Sequence, residues 1–196
     1  QKGLTSILPE NIGQLDQLKV LQLTSNQLHG AIPASIVNLT NLIELRLDHN
    51  NFSGEIPDDI GALSNLTELR FNNNQLGGGI PQSITSLVSL KYLYLNDNYF
   101  IGGSIPDNIG NLSSLRVLHL DRNQLAGEIP VSIENLINLE QLHLQYNSLS
   151  GVIQESLCNL SLAHSLTHFY YHGNNFCPPY LESYCAPVMS GHSQIC

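Results

Sequence analysis

The sequence has no tryptophan, a single methionine and few charged residues among its 196 positions. Charged side chains make up 12 % of the chain and leave a net charge of −9, which disfavours an electrostatic grip on nucleic acid or on an anionic membrane. No uninterrupted run of about 18 apolar residues occurs, so we predict no membrane-spanning helix. The N-terminus also lacks the charged-then-apolar order of a signal peptide. If the protein is secreted, the sequence is that of its mature form.

What the chain has instead is a pattern that recurs about every 24 residues. Each period contains an asparagine preceded by apolar residues at minus eight, minus five and minus three, as Leu42, Leu45 and Leu47 precede Asn50. An apolar residue, a glycine and usually Ile-Pro follow. A pattern of several positions repeated this often is not chance. The recurring asparagines are Asn26, Asn50, Asn74, Asn98, Asn123, Asn147 and Asn174.

The alternation in Leu-x-Leu places both leucines on one side of a short strand. One such unit cannot bury its apolar side, but stacked units can, with parallel strands about 4.8 Å apart. An asparagine amide at the same place in every coil can accept one hydrogen bond and donate two to the adjoining backbone. We therefore predict a buried asparagine ladder with a structural role. The extra residue within 99–104 predicts a bulge in the fourth coil.

The pattern LxxLxLxxNxLxGxIPxxIxxLxx resembles the leucine-rich repeat of the plant-specific subtype, from residue 3 to about residue 177. The resemblance implies an α/β repeat solenoid: a right-handed superhelix with a concave parallel β-sheet, short outer strands, and 3₁₀ or helical turns on the convex side. It implies one solenoid domain over residues 1–176 and a cysteine-containing C-terminal cap over residues 177–196. Because the chain begins halfway through a repeat, we expect either a longer protein or association with a partner at that uncapped end.

All four cysteines lie near the C-terminus, where they permit three pairings. The family resemblance implies a bridge between Cys177 and Cys185, which leaves Cys158 and Cys196 as a second pair. The alternative for Cys158 is a buried thiol in a Leu-Cys-Asn-Leu turn. No CxxC spacing indicates a zinc site.

An oxidising, extracellular compartment is also favoured by five N-x-S/T sequons. Each falls on a turn or outer-face position where a glycan would be solvated. The alternative is that Asn-Leu-Thr and Asn-Leu-Ser are ordinary occupants of this turn. The predicted glycosylation sites are Asn38, Asn51, Asn65, Asn111 and Asn159.

The residues that alternate with the inward leucines should form an exposed concave sheet. Glu44, Arg46, Glu68 and Arg70 are expected to neutralise one another, whereas tyrosine and histidine gather toward the C-terminal half. Tyrosine and histidine combine apolar area with a polar tip, which suits recognition. The alternative is a solvated sheet carrying β-prone tyrosines. The predicted ligand-binding residues are Arg46, Arg70, Tyr92, Tyr94, His119, Asp121, His143, Tyr146 and Tyr170.

Nothing in these columns predicts catalysis or a cofactor. His119 and His143 should be neighbours, but two histidines without a third fixed ligand make a weak metal site. Asp121 could orient an imidazole, yet no serine or cysteine nucleophile shares the columns. The Gly77–Gly79 run occupies the GxIP turn and is explained by backbone geometry.

We therefore predict a non-enzymatic recognition module, extracellular or on the cell surface, that binds a protein, peptide or glycan on its concave face. In family terms it is similar to receptor ectodomains and to polygalacturonase-inhibiting proteins of plants. The alternative is a structural or adhesive spacer that associates through its ends or outer face. Reduced, unpaired cysteines would instead favour an intracellular repeat protein.

Overall fold

The computed structural model describes residues 3–154, 157, 160, 166–177 and 189–190. Its main feature is an inner sheet of eight parallel strands, one contributed by each successive coil. Corresponding residues are in register, so that Leu45 pairs with Leu21 on one side and Leu69 on the other. The strands, numbered in chain order with those of the outer sheets, are β1 (Val20–Gln22), β3 (Glu44–Arg46), β5 (Glu68–Arg70), β7 (Tyr92–Tyr94), β9 (Val117–His119), β11 (Gln141–His143), β13 (His168–Tyr170) and β15 (Met189–Ser190).

The GxIP segments form outer strands, as the pattern predicts. A four-stranded sheet contains β2 (His29–Ala31), β4 (Asn51–Glu55), β6 (Gln75–Gly79) and β8 (Phe100–Gly102). A three-stranded sheet contains β10 (Ala126–Gly127), β12 (Ser148–Val152) and β14 (Asn175–Cys177).

The described residues contain six short 3₁₀ helices, of which five follow an outer strand and the first follows the isolated bridge at Ile7. Proline precedes four of these helices, where its fixed φ suits the entry to a helix and its missing N–H leaves no donor unpaired. The helices are η1 (Glu10–Gln14), η2 (Ala34–Asn38), η3 (Ile60–Ala62), η4 (Gln82–Ser86), η5 (Ile109–Asn111) and η6 (Val131–Asn135). Parallel strands and 3₁₀ turns stacked in this way confirm the predicted α/β repeat solenoid.

The leucines of all coils share one core that runs the length of the solenoid. In the central coils the leucines at minus eight, minus five and minus three are fully buried, as Leu90, Leu93 and Leu95 are before Asn98. Because each coil buries its apolar side only against its neighbours, the stack and not the single repeat is the stable unit.

The predicted asparagine ladder is present. Asn98 is fully buried, its Oδ1 accepts the N–H of Leu76 at 3.0 Å, and its Nδ2 donates to the carbonyls of Phe71 and Leu95. One amide therefore joins two coils and satisfies backbone groups that have no strand partner. Four other ladder residues are buried and two, Asn26 and Asn147, are partly buried. The four buried ones are Asn50, Asn74, Asn123 and Asn174.

The fourth coil bulges at its extra residue, as predicted. Tyr99 adopts a left-handed φ of 63°, which is uncommon for a residue other than glycine. The outer strands are divided into two sheets at this point, between β8 and β10. The displaced backbone also interrupts the ladder, because Asn123 Oδ1 has no hydrogen-bond partner among the described residues.

The two ends of the chain bear on the predicted N-terminal association and on the predicted C-terminal cap. Leu4, Ile7 and Leu15 are exposed at the N-terminal end, and the absence of a cap and association there stay predictions. Within the predicted cap, β15 extends the inner sheet, while most of 177–196 lies outside the described residues. The boundary of the cap therefore stays a prediction.

No helix in the described part of the chain is long and apolar enough to cross a bilayer.

We expect Asn98→Ala to lower the free energy of unfolding by about 3 kcal/mol, because it leaves the buried N–H of Leu76 and two carbonyls without partners. The matched control is Asn123→Ala, which removes donor bonds but leaves no N–H without its acceptor. Its cost should be smaller by about 1 kcal/mol. Urea unfolding of both variants measures the difference, and an equal or larger loss for Asn123→Ala contradicts it.

A second prediction concerns the close approach of neighbouring 3₁₀ turns. A Cβ added at Gly110 would overlap with the carbonyl oxygen of Ser132, which is backbone and cannot turn aside. We expect Gly110→Ala to destabilise the protein by about 2 kcal/mol through overpacking. At Gly79 an added Cβ meets nothing within 4 Å, so Gly79→Ala should shift the thermal midpoint little. Equal midpoints for the two variants would show that the coils can separate without cost.

Candidate ligand-binding face

A row of aromatic and cationic side chains crosses the open face of the inner sheet. Parallel pairing places Arg70, Tyr94, His119, His143 and Tyr170 opposite one another on five successive strands. We call these five residues the aromatic column. All five are partly exposed, because they alternate with buried leucines along strands whose other side faces the core.

Neighbouring members of the aromatic column are in contact. The Arg70 guanidinium lies 4.5 Å from the centre of the Tyr94 ring, a cation–π distance. Tyr94 meets His119 edge-on at 4.9 Å, His119 stacks on His143 at 3.7 Å, and His143 meets Tyr170 edge-on at 4.7 Å. These contacts favour the observed ring orientations, so the surface is organised without a ligand.

A second row lies beside the bulge. The Arg122 guanidinium is 5.2 Å from the centre of the Tyr146 ring, and Tyr146 meets His172 edge-on at 4.9 Å. With Tyr99 and Asn123, Arg122 and Tyr146 line an open cavity of about 330 Å³. Tyr146 is among the ligand-binding residues predicted from the sequence, whereas Tyr99 and Arg122 are not. The extra residue in the fourth coil was the signal that could have drawn attention to Tyr99.

The charged half of the face neutralises itself, as predicted. The Glu68 carboxylate is buried and lies between two arginines, 2.6 Å from Arg46 and in contact with Arg70. Arg46 also reaches Glu44 at 3.3 Å. The hydrogen bond that Arg46 donates to Glu68 raises the pKa of Arg46, which therefore stays charged. Glu68 thus fixes the guanidinium that begins the aromatic column.

The two histidines of the aromatic column lie close to the buried Asp121 carboxylate. Burial lowers the pKa of His143 to about 4, with further lowering by His119 and His168. Burial also lowers the pKa of His119, although its hydrogen bond to Gln141 opposes the shift. Burial raises the pKa of Asp121 to about 6. At neutral pH the column therefore presents uncharged imidazoles over an ionised carboxylate.

The predicted ligand-binding residues thus fall into three groups. Arg70, Tyr94, His119, His143 and Tyr170 form one continuous row, and Arg46 and Tyr92 adjoin it. Tyr146 belongs to the second row, and Asp121 lies close to the two histidines with its carboxylate largely hidden from solvent. Their role in binding stays a prediction.

The predicted modification sites can be placed in part. Asn38, Asn51, Asn65 and Asn111 are all exposed, as a glycan requires, while Asn159 lies outside the described residues. Cys177 is disulfide-bonded. Cys158, Cys185 and Cys196 lie outside the described residues, so the pairing stays a prediction.

Comparison with protein families identifies the repeats. The Leucine Rich Repeat model matches residues 17–39, 41–63, 114–136 and 138–160, and the model for Leucine Rich repeats in two copies matches residues 64–113. The stacked coils and the open inner sheet place this chain in the class of solenoid repeat proteins. The chain belongs to the leucine-rich repeat family, and its structural neighbours include ectodomains of plant receptor kinases.

Three solved structures illustrate these similarities. The plant peptide hormone receptor RGFR1 in complex with RGF2 has a TM-score of 0.88 and 33 % identity, over 96 % of this chain and 31 % of the receptor. The ectodomain of the Arabidopsis thaliana receptor kinase GASSHO1/SCHENGEN3, in complex with CASPARIAN STRIP INTEGRITY FACTOR 2, has a TM-score of 0.86 and 37 % identity, over 95 % and 22 %. A plant ice-binding protein has a TM-score of 0.67 and 27 % identity, over 91 % and 71 %.

The chain spans about a third or less of the length of the two receptors. A search of curated protein sequences gave no match.

The buried position of Glu68 generates a prediction about stability. We expect Glu68→Gln to lower the free energy of unfolding by about 2 kcal/mol, because two arginines lose the carboxylate that compensates them. Glu140→Gln is the matched control, since its ion pair with Arg116 is exposed and should contribute less than about 1 kcal/mol. Chemical unfolding in low salt measures both. Equal effects would mean that Glu68 acts as an ordinary surface charge.

Proposed function

We propose that this solenoid is a non-enzymatic recognition module that binds a peptide, or an extended segment of a protein, along the aromatic column. The observation that carries the proposal is the continuous contact from Arg70 to Tyr170 across five strands. Such a row offers rings and polar tips at regular strand spacing, and an extended chain can lie along it.

Preorganisation supports the same proposal. Each ring of the aromatic column is held by its neighbours, and Arg70 is held by Glu68, so little side-chain entropy is lost on binding. The His119 and His143 rings are uncharged at neutral pH and present apolar faces with polar nitrogen atoms. This surface suits a ligand that combines apolar side chains with hydrogen-bonding groups.

The similar structures support this kind of ligand. Both receptors are solved in complex with named partners, one of them described as a peptide hormone receptor. We propose by analogy that this chain binds a peptide or protein partner and is located outside the cell or on its surface. The exposed sequons and the disulfide at Cys177 are both compatible with that location. A glycan remains a further ligand class, since exposed tyrosine rings also stack on sugars.

The test uses peptides selected on the wild-type chain from a random-sequence display library. We expect Tyr94→Ala to lower the affinity for the selected peptides by about tenfold or more, because it removes a central aromatic anchor of the column. Phe100→Ala is the control, because Phe100 is an exposed aromatic residue of the outer strand β8. Isothermal titration calorimetry measures both variants.

Peptides that bind Tyr94→Ala as tightly as the wild type, but lose affinity to Phe100→Ala, would move the binding surface to the outer face. Sedimentation of the free chain tests the structural alternative. A spacer should associate with itself at rising concentration, and Tyr94→Ala should not change that association. A monomeric chain whose peptides need Tyr94 supports recognition.

A further inference from the structure

Two histidines at the centre of the aromatic column and one nearby carboxylate come close together. One ring nitrogen from each of His119 and His143 and one carboxylate oxygen of Asp121 all lie within 4.8 Å of one another. The two histidines are paired across β9 and β11, and Asp121 follows His119 by two residues on the same side. The sequence predicts that the two histidines are neighbours but gives no third ligand, because the position of the Asp121 carboxylate depends on packing.

The Asp121 carboxylate has an unusual environment for a buried anion. The residue is 6 % exposed, and its Oδ1 is buried with no hydrogen-bond partner among the described residues. The nearest cationic group at Oδ2 is Arg122 Nε, 4.0 Å away, and Arg122 is shared with Asp97 at 3.6 Å. An unpaired buried carboxylate oxygen costs free energy that a bound cation would recover.

Oδ1 points toward the histidines, since it lies 4.0 Å from His143 Nδ1. On the other ring, His119 Nε2 lies 3.1 Å from Gln141 Oε1. A carbonyl oxygen only accepts, so Nε2 of His119 carries the proton and Nδ1 keeps its lone pair. A histidine whose second nitrogen donates to an oxygen acceptor is the usual arrangement around a bound metal.

We propose that His119, Asp121 and His143 bind a divalent transition-metal ion, such as zinc, on the concave face. Two imidazole nitrogens and one carboxylate oxygen are a donor set for zinc, whereas calcium and magnesium prefer oxygen ligands alone. Three protein ligands leave one position of a tetrahedral site open toward the solvent side of the sheet. Gln141 acts as a positioning residue through its bond to His119.

Coordination requires a modest rearrangement of the side chains. Ligand atoms around one zinc ion are about 3.4 Å apart, so the most distant pair must approach by about 1.4 Å. The imidazole rings are parallel and 3.7 Å apart, and each must turn for its lone pair to face a shared ion. Both rings are partly exposed, which leaves them room to turn without disturbing the leucine core.

The inference goes beyond the proposed recognition function, and its test needs no partner. The wild-type chain is treated with EDTA, desalted and titrated at neutral pH with zinc chloride, and separately with cobalt chloride, whose visible spectrum reports tetrahedral coordination. We expect saturable binding. His143→Ala and Asp121→Asn should each abolish the binding of one equivalent of metal or lower its affinity well beyond tenfold. Gln141→Ala should lower the metal affinity by about tenfold.

His168→Ala is the matched control, because His168 is an exposed histidine on the neighbouring strand β13 of the same sheet. It should keep the stoichiometry and affinity of the wild type. Zinc should also raise the thermal midpoint of the wild type and of His168→Ala, but not that of Asp121→Asn, whose shape is conserved.

The proposal is overturned if the wild type shows no saturable binding. It is also overturned if a folded His143→Ala or Asp121→Asn variant binds as many equivalents of metal as the wild type, with the same affinity. Loss of peptide binding in Tyr94→Ala with zinc binding intact would show that zinc binding does not depend on Tyr94, so each proposal can fail without the other.

Discussion

The hydrogen bonds of the ladder asparagines are the interaction on which the rest of this structure depends. Leucine packing supplies apolar contact between coils but has no directional preference, so by itself it permits coils to slide and turn. Each buried amide, as at Asn98, bonds to the backbone of its own coil and of the preceding one. Because these bonds are buried, a shift of one residue would leave several polar groups unpaired. The ladder therefore fixes the register of the stack.

Fixed register turns a repeated sequence into a continuous surface. Parallel strands in register place equivalent side chains opposite one another, so that Tyr94, His119 and His143 are neighbours although 24 or more residues separate them in the chain. Ring contacts then hold these side chains in place, and the Glu68 carboxylate fixes the arginine at one end. The same strictness brings Asp121 close to two imidazoles in the middle of the face.

The fourth coil shows what one additional residue changes. The inner sheet continues through it without interruption, since β7 and β9 pair in register on either side. On the outer side the strands divide into two sheets, Tyr99 takes a left-handed conformation, and Asn123 Oδ1 has no hydrogen-bond partner among the residues that the structure describes. The extra length is absorbed where the turn is exposed, because a shift of the inner strand would bury polar groups and expose leucines. A cavity lined by Tyr99, Arg122 and Tyr146 lies beside the bulge.

By itself the sequence determined the solenoid, its parallel inner sheet, the buried asparagines and the side chains that share its open face. These follow from a short-range pattern of leucine and asparagine that allows one way to bury apolar surface and satisfy backbone groups together. Only the tertiary structure decided that His119 and His143 stack, that Glu68 is enclosed by two arginines, and that Asp121 Oδ1 has no hydrogen-bond partner in the described part of the chain. Side-chain rotation and burial set those contacts, and both depend on neighbours in adjoining coils, which no local pattern describes.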